Sequence, residues 1–102
     1  MDTLTLKQAL KQVLHQYTGE ALNGYSYLTS DPDEQVFTSV TVGRSKGKEY
    51  SFVDLVIRLV ADTVVIDKDA NSDPLYEALL QAGVPREQII LAYAGEPVPE
   101  TA

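Results

Sequence analysis

Apolar residues recur with helical spacing at the start of the chain. The stripe consists of Leu6, Leu10, Val13, Leu14 and Tyr17. Residues that repeat every three or four positions lie on one face of a helix, so this segment predicts an amphipathic helix. Thr5 and Gln8 have the spacing of a capping box at its start, and Gly19 is the predicted stop. His15 projects away from the stripe, which predicts a solvated side chain.

The middle of the chain favours strands. Alternating or continuous apolar positions predict them at residues 25–29, 35–42, 49–59 and 63–66. Tight turns are expected at Asn23-Gly24 and at Ala61-Asp62. One face of the second strand would carry Val36, Thr38, Val40 and Val42. The third strand would place Asp54 and Arg58 on the face opposite to Val53, Leu55, Ile57 and Leu59.

Residues 75–88 read as a short helix followed by a stop and a turn. Asp73 is the predicted cap, and Pro74 suits the first helical position. The apolar face of this helix would consist of Leu75, Leu79 and Ala82. Gly83 stands where a helix commonly ends in the left-handed conformation, and Val84 should then fold back on Leu79 or Leu80. Pro85 would prevent the helix from restarting at once.

Residues 89–93 are all apolar or aromatic, which predicts a strand buried on both faces in the interior of a sheet. The element order is therefore α-β-β-β-β-α-β, with a crossover before the last strand. This order predicts an α+β fold in which helices pack on a mixed, mainly antiparallel sheet. We expect a single domain over residues 1–94 and an extended tail over residues 95–102, since 102 residues suit one core.

The net charge of the chain indicates which class of partner it favours. Eight basic and fifteen acidic residues give a net charge of −7. Nucleic-acid affinity depends largely on neutralising phosphates, so an acidic chain is poorly suited to binding DNA alone. It is better suited to docking on a basic protein, although the same charge also serves solubility. The predicted docking surface combines the acidic loop at residues 67–73 with the tail, through Asp67, Asp69, Asp73, Glu96 and Glu100.

One loop has the opposite charge. Residues 43–48 hold three of the eight basic residues, which are Arg44, Lys46 and Lys48. Their spacing does not match a P-loop, because too few residues separate the glycines and Glu49 stands where Ser or Thr would hold Mg²⁺. A nucleic-acid contact through this loop is the alternative function, and a charged hairpin end is the simpler interpretation.

Other chemistry finds little support in the sequence. The alternating acids from Asp67 to Asp73 lack the glycine and glutamate that a Ca²⁺ loop requires. The chain has no cysteine, and its single histidine has no partners for catalysis. We therefore predict neither a cofactor nor a metal, and no enzymatic activity. No signal peptide or membrane span is evident, which predicts a cytoplasmic protein. Residues 25–29 offer little charge to protect a sheet edge, so weak homodimerisation is also predicted.

Residues 79–87 and 89–93 carry a family pattern. A helix that ends in glycine, an aliphatic residue and proline, followed by a strand that ends in an aromatic, resembles the XisI-like excision controlling factors of cyanobacteria, named for the fdxN element. The likeness covers most of the chain and is distinctive from Val64 to Tyr93. The chain departs from the family pattern at Arg44, Val56, Arg58 and Val65, and in its short tail without arginine.

This resemblance implies an accessory factor for programmed DNA excision that works beside a recombinase and a nuclease-like companion, XisH. The leading hypothesis is thus a non-enzymatic regulatory subunit that binds this companion. Three alternatives remain open. They are a DNA-contacting module that uses the basic loop, a divergent paralogue that has kept only the fold, and a small hydrolase with an unrecognised carboxylate site.

Overall fold

The computed structural model describes residues 1–99, which form one six-stranded sheet with two helices. The helices are α1 (Thr3–Leu14) and α2 (Leu75–Gln81). The strands are β1 (Gly19–Ala21), β2 (Gly24–Ser30), β3 (Val36–Ser45), β4 (Lys48–Val60), β5 (Thr63–Asp69) and β6 (Ile89–Leu91). Their order in the sheet is β1-β2-β3-β4-β5-β6, and every neighbouring pair is antiparallel except β5 and β6. The predicted α+β fold is confirmed.

The core lies between the two helices and one face of the sheet. Helix α1 contributes four fully or nearly fully buried residues of the predicted stripe, which are Leu6, Leu10, Val13 and Leu14. The sheet contributes Phe37, Leu55, Ile57, Val64, Ile66 and Ile89, and α2 with its following turn contributes Leu75, Leu79 and Val84. These contacts bury the apolar face of each helix, which is the main source of stability for helices this short.

In β3 the predicted alternation is right, but the covered face is the opposite one. Phe37 is buried, whereas Val36 and Val42 are 37% and 44% exposed. The ladder pairs Phe37 with Ile57, which is also buried, so the helices cover the face that carries these two residues. The other face of β2, β3 and β4 includes the exposed Tyr25 and Tyr27.

A β-bulge changes the predicted position of Asp54. Ser39 pairs with Leu55 and Val40 pairs with Val53, so Asp54 is an extra residue in β4. Such a residue breaks the alternation of the strand. Asp54 and Leu55 are consequently both buried, at 7% and 0% exposure. The prediction that Asp54 lies on the face opposite to the core is therefore wrong.

The end of α2 agrees with its prediction. Gly83 has a φ of +94°, and its N–H donates to the carbonyl of Leu80 at 3.0 Å. The N–H of Val84 donates to the carbonyl of Leu79 at 3.0 Å, which completes a Schellman motif. Val84 is buried in the cluster that contains Leu79.

The starts of both helices differ from prediction. Asp2 caps α1, because its side chain accepts from the N–H of Thr5 at 2.8 Å. Thr5 therefore lies inside the helix and is not its cap. In α2 the N-cap position is Pro74, so the predicted placement of Pro74 at the first helical position is wrong. The carboxylate that satisfies the start of α2 belongs to Asp69, which accepts from the N–H of Leu75 at 2.7 Å, and not to Asp73. A carboxylate six residues upstream can reach this N–H because the chain folds back between β5 and α2.

The chain after α2 also differs from prediction. Strand β6 ends at Leu91 and occupies an edge of the sheet, so the predicted interior strand at residues 89–93 is wrong. Ala92–Ala94 instead forms a 3-10 turn. Ile89 is fully buried, whereas Ile90 is only partly buried. An apolar run therefore need not be an interior strand: β6 pairs with β5 on one side only, and Ile89 and Leu91 pack against the core.

Three further element boundaries differ from those predicted. Gly19 begins strand β1, which pairs with β2, and α1 instead ends in a 3-10 turn at His15–Tyr17. Strand β5 continues to Asp69, so part of the predicted acidic loop is strand. The predicted basic loop is mostly hairpin strand, with only Lys46 and Gly47 between β3 and β4. Among residues 1–99, no helix is long and apolar enough to cross a membrane.

Candidate functional site

A cavity of about 540 Å³ opens between the end of α1, strand β1, the segment before α2, and α2 itself. Its wall contains four acidic residues, which are Glu20, Asp54, Asp73 and Glu77. No lysine, arginine or histidine of the described chain lines it. Polar neighbours in the wall include Gln16, Tyr17, Ser26 and Gln81. The cavity is therefore a region of strongly negative character that no internal cation neutralises.

Asp54 is the buried member of this wall. Its Oδ2 accepts from the hydroxyl of Thr41 at 2.8 Å, and Thr41 Oγ1 lies 2.8 Å from Ser26 Oγ. Thr41 has only one hydroxyl hydrogen, which the carboxylate takes, so Ser26 must donate to Thr41. Asp54 Oδ1 is buried and has no hydrogen-bond partner in the described part of the chain. A buried carboxylate oxygen without a donor is costly, and a ligand donor would relieve that cost.

The strand pattern builds this polar cluster on the covered face of the sheet. Ser39 and Thr41 follow Phe37 at two-residue spacing, so all three point to the same side of β3. Thr41 and Ser26 are partners in the ladder between β3 and β2. The cluster lies where the apolar core ends. The sequence contained this signal, because the polar residues are in phase with Phe37, but alternation alone did not identify the covered face.

Tyr17 lines the cavity and lies near several of its carboxylates. Its hydroxyl donates to the carbonyl of Asp73 at 2.9 Å. Burial raises the pKa of the Tyr17 hydroxyl, and the nearby carboxylates of Asp69, Asp73 and Glu77 raise it further. Both effects disfavour a negative charge on the phenol, and the smaller contribution, from the carboxylates, reflects a negative local potential. The same potential would favour a bound cation.

The structure does not gather the four described docking residues, Asp67, Asp69, Asp73 and Glu96, into one free surface. Asp67 accepts two hydrogen bonds from Arg58, at 2.6 and 2.9 Å. Asp69 accepts from the backbone N–H and side-chain amide of Asn71, both at 3.0 Å, and from Leu75. Asp73 is exposed and lines the cavity. Of the four described docking residues, Asp73 is the one that lines the same cavity as Asp54.

The two predicted residues of the tail lie elsewhere. Glu96 accepts from the N–H of Leu91 at 2.8 Å and from Arg86 at 2.6 Å. The Leu91 N–H, helped by the Arg86 guanidinium, lowers the pKa of the Glu96 carboxyl. Glu100 lies outside the described residues. Glu96 therefore ties the chain after β6 to the turn before it.

The basic residues lie at the far end of the β3–β4 hairpin. Arg44 pairs with Glu49 across the ladder at 2.8 Å, and both side chains are mostly exposed. Lys46 is in the two-residue turn and Lys48 begins β4. Exposed rings of Tyr50 and Phe52 stack beside them, with centroids 6.2 Å apart. This end of the hairpin combines cations and aromatic surface.

Two further predictions concern metal binding and homodimerisation. Within residues 1–99, no three His, Cys, Asp or Glu side chains are placed to hold a metal ion. His15 is exposed at the end of α1. Strand β1 covers the edge of β2 only from Gly24 to Ser26, so the predicted homodimerisation through this edge stays a prediction.

The sequence model of the XisI protein family matches residues 1–101. The chain belongs to the XisI family. This membership confirms the resemblance drawn from residues 64–93. No curated protein matches the chain at a significant level.

Two solved structures from Anabaena variabilis ATCC 29413 share the XisI fold. A XisI-like protein superposes with a TM-score of 0.74 at 17% identity, over 88% of this chain and 85% of that one. The fdxN element excision controlling factor XisI superposes with a TM-score of 0.67 at 18% identity, over 90% of this chain and 93% of that one. At such low identity these likenesses bear on the fold alone.

Proposed function

We propose that this XisI-family chain is a non-enzymatic controlling subunit for programmed DNA excision, and that it acts in the cytoplasm by binding a nuclease-like companion of the XisH type. The observation that carries the proposal is the family match over residues 1–101. A structural relative is described as an excision controlling factor, which is a regulatory role and not a named reaction.

The electrostatics support a protein partner. A net charge of −7 repels nucleic acid and attracts basic protein surfaces, which raises the rate of encounter. The docking surface that we propose includes the segment from Asp67 to Asp73 and the tail near Glu96 and Glu100. Within it, Asp67, Asp69 and Glu96 already bind internal donors. Asp73 and the neighbouring cavity are therefore the part most available to a cation of the companion.

The carboxylates have non-catalytic roles that support the same proposal. Asp67 holds Arg58, Asp69 caps α2, and Glu96 holds Arg86. General acid–base catalysis requires a positioned group that can exchange a proton with a substrate. The groups just named are occupied by structural donors, so they are poorly suited to that role.

Co-purification tests the proposal. The neighbouring reading frames should first be searched for a nuclease-like protein of the XisH type. That protein should be co-expressed with the chain, and the complex isolated through a tag on one partner. We expect a stable complex whose association slows as salt rises, because charge steers the encounter. Failure to associate, together with binding or cutting of DNA by the isolated chain, would show that the accessory-subunit proposal is wrong.

A second candidate function is DNA contact through the β3–β4 hairpin. It is favoured by the occurrence of Lys46, Lys48 and the stacked rings of Tyr50 and Phe52 in one hairpin, since cations and aromatic surfaces together suit single-stranded nucleic acid. Gel-shift titration of the chain and of a Lys46→Glu/Lys48→Glu variant would test it. Salt-sensitive binding that the variant loses would support this candidate, and no binding at low salt would exclude it.

A further inference from the structure

We propose that the cavity headed by Asp54 is a binding site for a guanidinium group, presented as an arginine side chain by a protein partner. This proposal adds a binding site to the proposed function. Its claim that a protein partner supplies the arginine rests on that function. The binding chemistry itself can be tested on the isolated chain.

The charge of the wall selects a cation. Glu20, Asp54, Asp73 and Glu77 line the cavity without any basic side chain of the described residues among them. An acidic cluster alone would be no more than a solvated surface. Asp54 provides an observation that is independent of the acidic cluster. This residue is only 7% exposed, and its Oδ1 lacks a hydrogen-bond donor within residues 1–99. A cation bound in the cavity would stabilise this carboxylate electrostatically and neutralise part of the charge of the wall.

The size and spacing of the site favour an organic cation over a metal ion. The volume of about 540 Å³ lies within the range of small-ligand sites, roughly 300–1,000 Å³. A divalent metal needs several carboxylates at bonding distance around one point, and no group of three is so placed in residues 1–99. The acids instead line different parts of a wider space.

A guanidinium suits this wall better than an ammonium does. It has five N–H donors in a rigid plane, whereas an ammonium has three donors around a point charge. The acceptors in the wall include the carboxylates of Asp54 and Glu77 and the amide oxygens of Gln16 and Gln81. A planar fork can reach acceptors on separate elements, and Tyr17 adds an aromatic surface of the kind on which arginine stacks.

The first test titrates the isolated chain with N-acetyl-arginine amide, followed by NMR amide shifts and calorimetry. The matched ligand is N-acetyl-citrulline amide, which has nearly the same shape but no charge. We expect saturable shifts at Ser26, Thr41 and Asp54 with the arginine amide, and at least tenfold weaker binding of the citrulline amide. Equal binding of the two ligands, no binding of either at millimolar concentration, or tighter binding of Mg²⁺ or Ca²⁺ at the same amides would overturn the proposal.

Variants assign the binding to the cavity. Asp54→Asn keeps an oxygen that can accept from Thr41 and should weaken arginine-amide binding at least tenfold. Asp33→Asn removes the same charge from an exposed loop and should leave binding unchanged. If Asp54→Asn fails to fold, Glu77→Gln should weaken binding severalfold while Glu87→Gln, outside the cavity, should not. Equal effects of the cavity variant and its control would contradict the assignment.

Two further experiments identify the source of the guanidinium group and distinguish a failure of the guanidinium site from a failure of the proposed function. A short peptide with one central arginine should bind more tightly than agmatine, because a partner would present the group on a polypeptide. Tighter binding of agmatine would overturn the partner source. Arginine-amide binding without association of the companion would refute the proposed function alone. Companion association that Asp54→Asn and Glu77→Gln leave unchanged, with no arginine-amide binding, would refute this inference alone.

Discussion

Replacing Asp69 with alanine should destabilise the protein through the start of α2. The carboxylate accepts three hydrogen bonds, from Asn71 N and Nδ2 at 3.0 Å and from Leu75 N at 2.7 Å. Loss of a helix cap costs about 0.5–2 kcal/mol, and a hydrogen bond to a charged group is worth about 1.5–3 kcal/mol. Because the side chain is only half-buried, water can replace part of this, and we expect a loss of about 2 kcal/mol in the free energy of unfolding.

Urea unfolding followed by circular dichroism measures this loss directly. For a domain of this size, about 2 kcal/mol corresponds to a fall in Tm of roughly 10 °C. The matched control is Asp73→Ala, because Asp73 was the cap expected from the sequence and its carboxylate makes no hydrogen bond within residues 1–99. That variant should stay within about 0.5 kcal/mol of the parent. A larger loss for Asp73→Ala than for Asp69→Ala would refute the reasoning.

Three other substitutions follow from the described contacts. Ala61→Asn should raise the free energy of unfolding by about 0.5 kcal/mol in urea titrations, since Ala61 has a φ of +48° that asparagine tolerates better. Leu79→Ala should lower it by about 2–5 kcal/mol in the same assay, because Leu79 is fully buried. Glu96 has a lowered pKa in the folded chain, chiefly through the Leu91 N–H, so its stabilisation is present above its ordinary value of 4.5 and is lost as the pH falls through the folded value. Glu96→Gln should therefore flatten the acid limb of a plot of Tm against pH, and an unchanged limb would contradict this.

Local signals with a stereochemical cause predicted the fold well. The stripe of α1 is buried because its spacing places the apolar residues on one face. Gly83 takes a left-handed conformation, and Val84 folds back on Leu79, because a helix end needs both features. These outcomes depend on residues within a few positions of one another, which is the range over which a sequence pattern is informative.

The faces of the sheet could not be predicted from alternation. A period of two divides β3 into two sets, Val36 with Val40 and Phe37 with Thr41, but it does not say which set the helices cover. The bulge at Asp54 adds a residue and breaks the period in β4. Strand β6 gave a similar difficulty, because a short apolar run fits an interior strand and an edge strand equally well until its neighbours are known.

The same limit applies to the acidic residues, and it matters more for function. The sequence gives the number of carboxylates. Whether a carboxylate is free to bind a partner depends on hydrogen-bond donors in segments that are distant along the chain. Asp67 is occupied by Arg58 from β4, and Asp69 is occupied by the start of α2. Asp54, which the alternation of β4 assigned to the wrong face, is the buried carboxylate in the wall of the acidic cavity, and its Oδ1 has no partner within residues 1–99. Long-range attraction by net charge would steer a partner toward the whole acidic surface, whereas a specific short-range contact would form at Asp54. Charge-neutralising variants should therefore separate the two contributions, since loss of exposed acids would slow association and loss of Asp54 would speed dissociation.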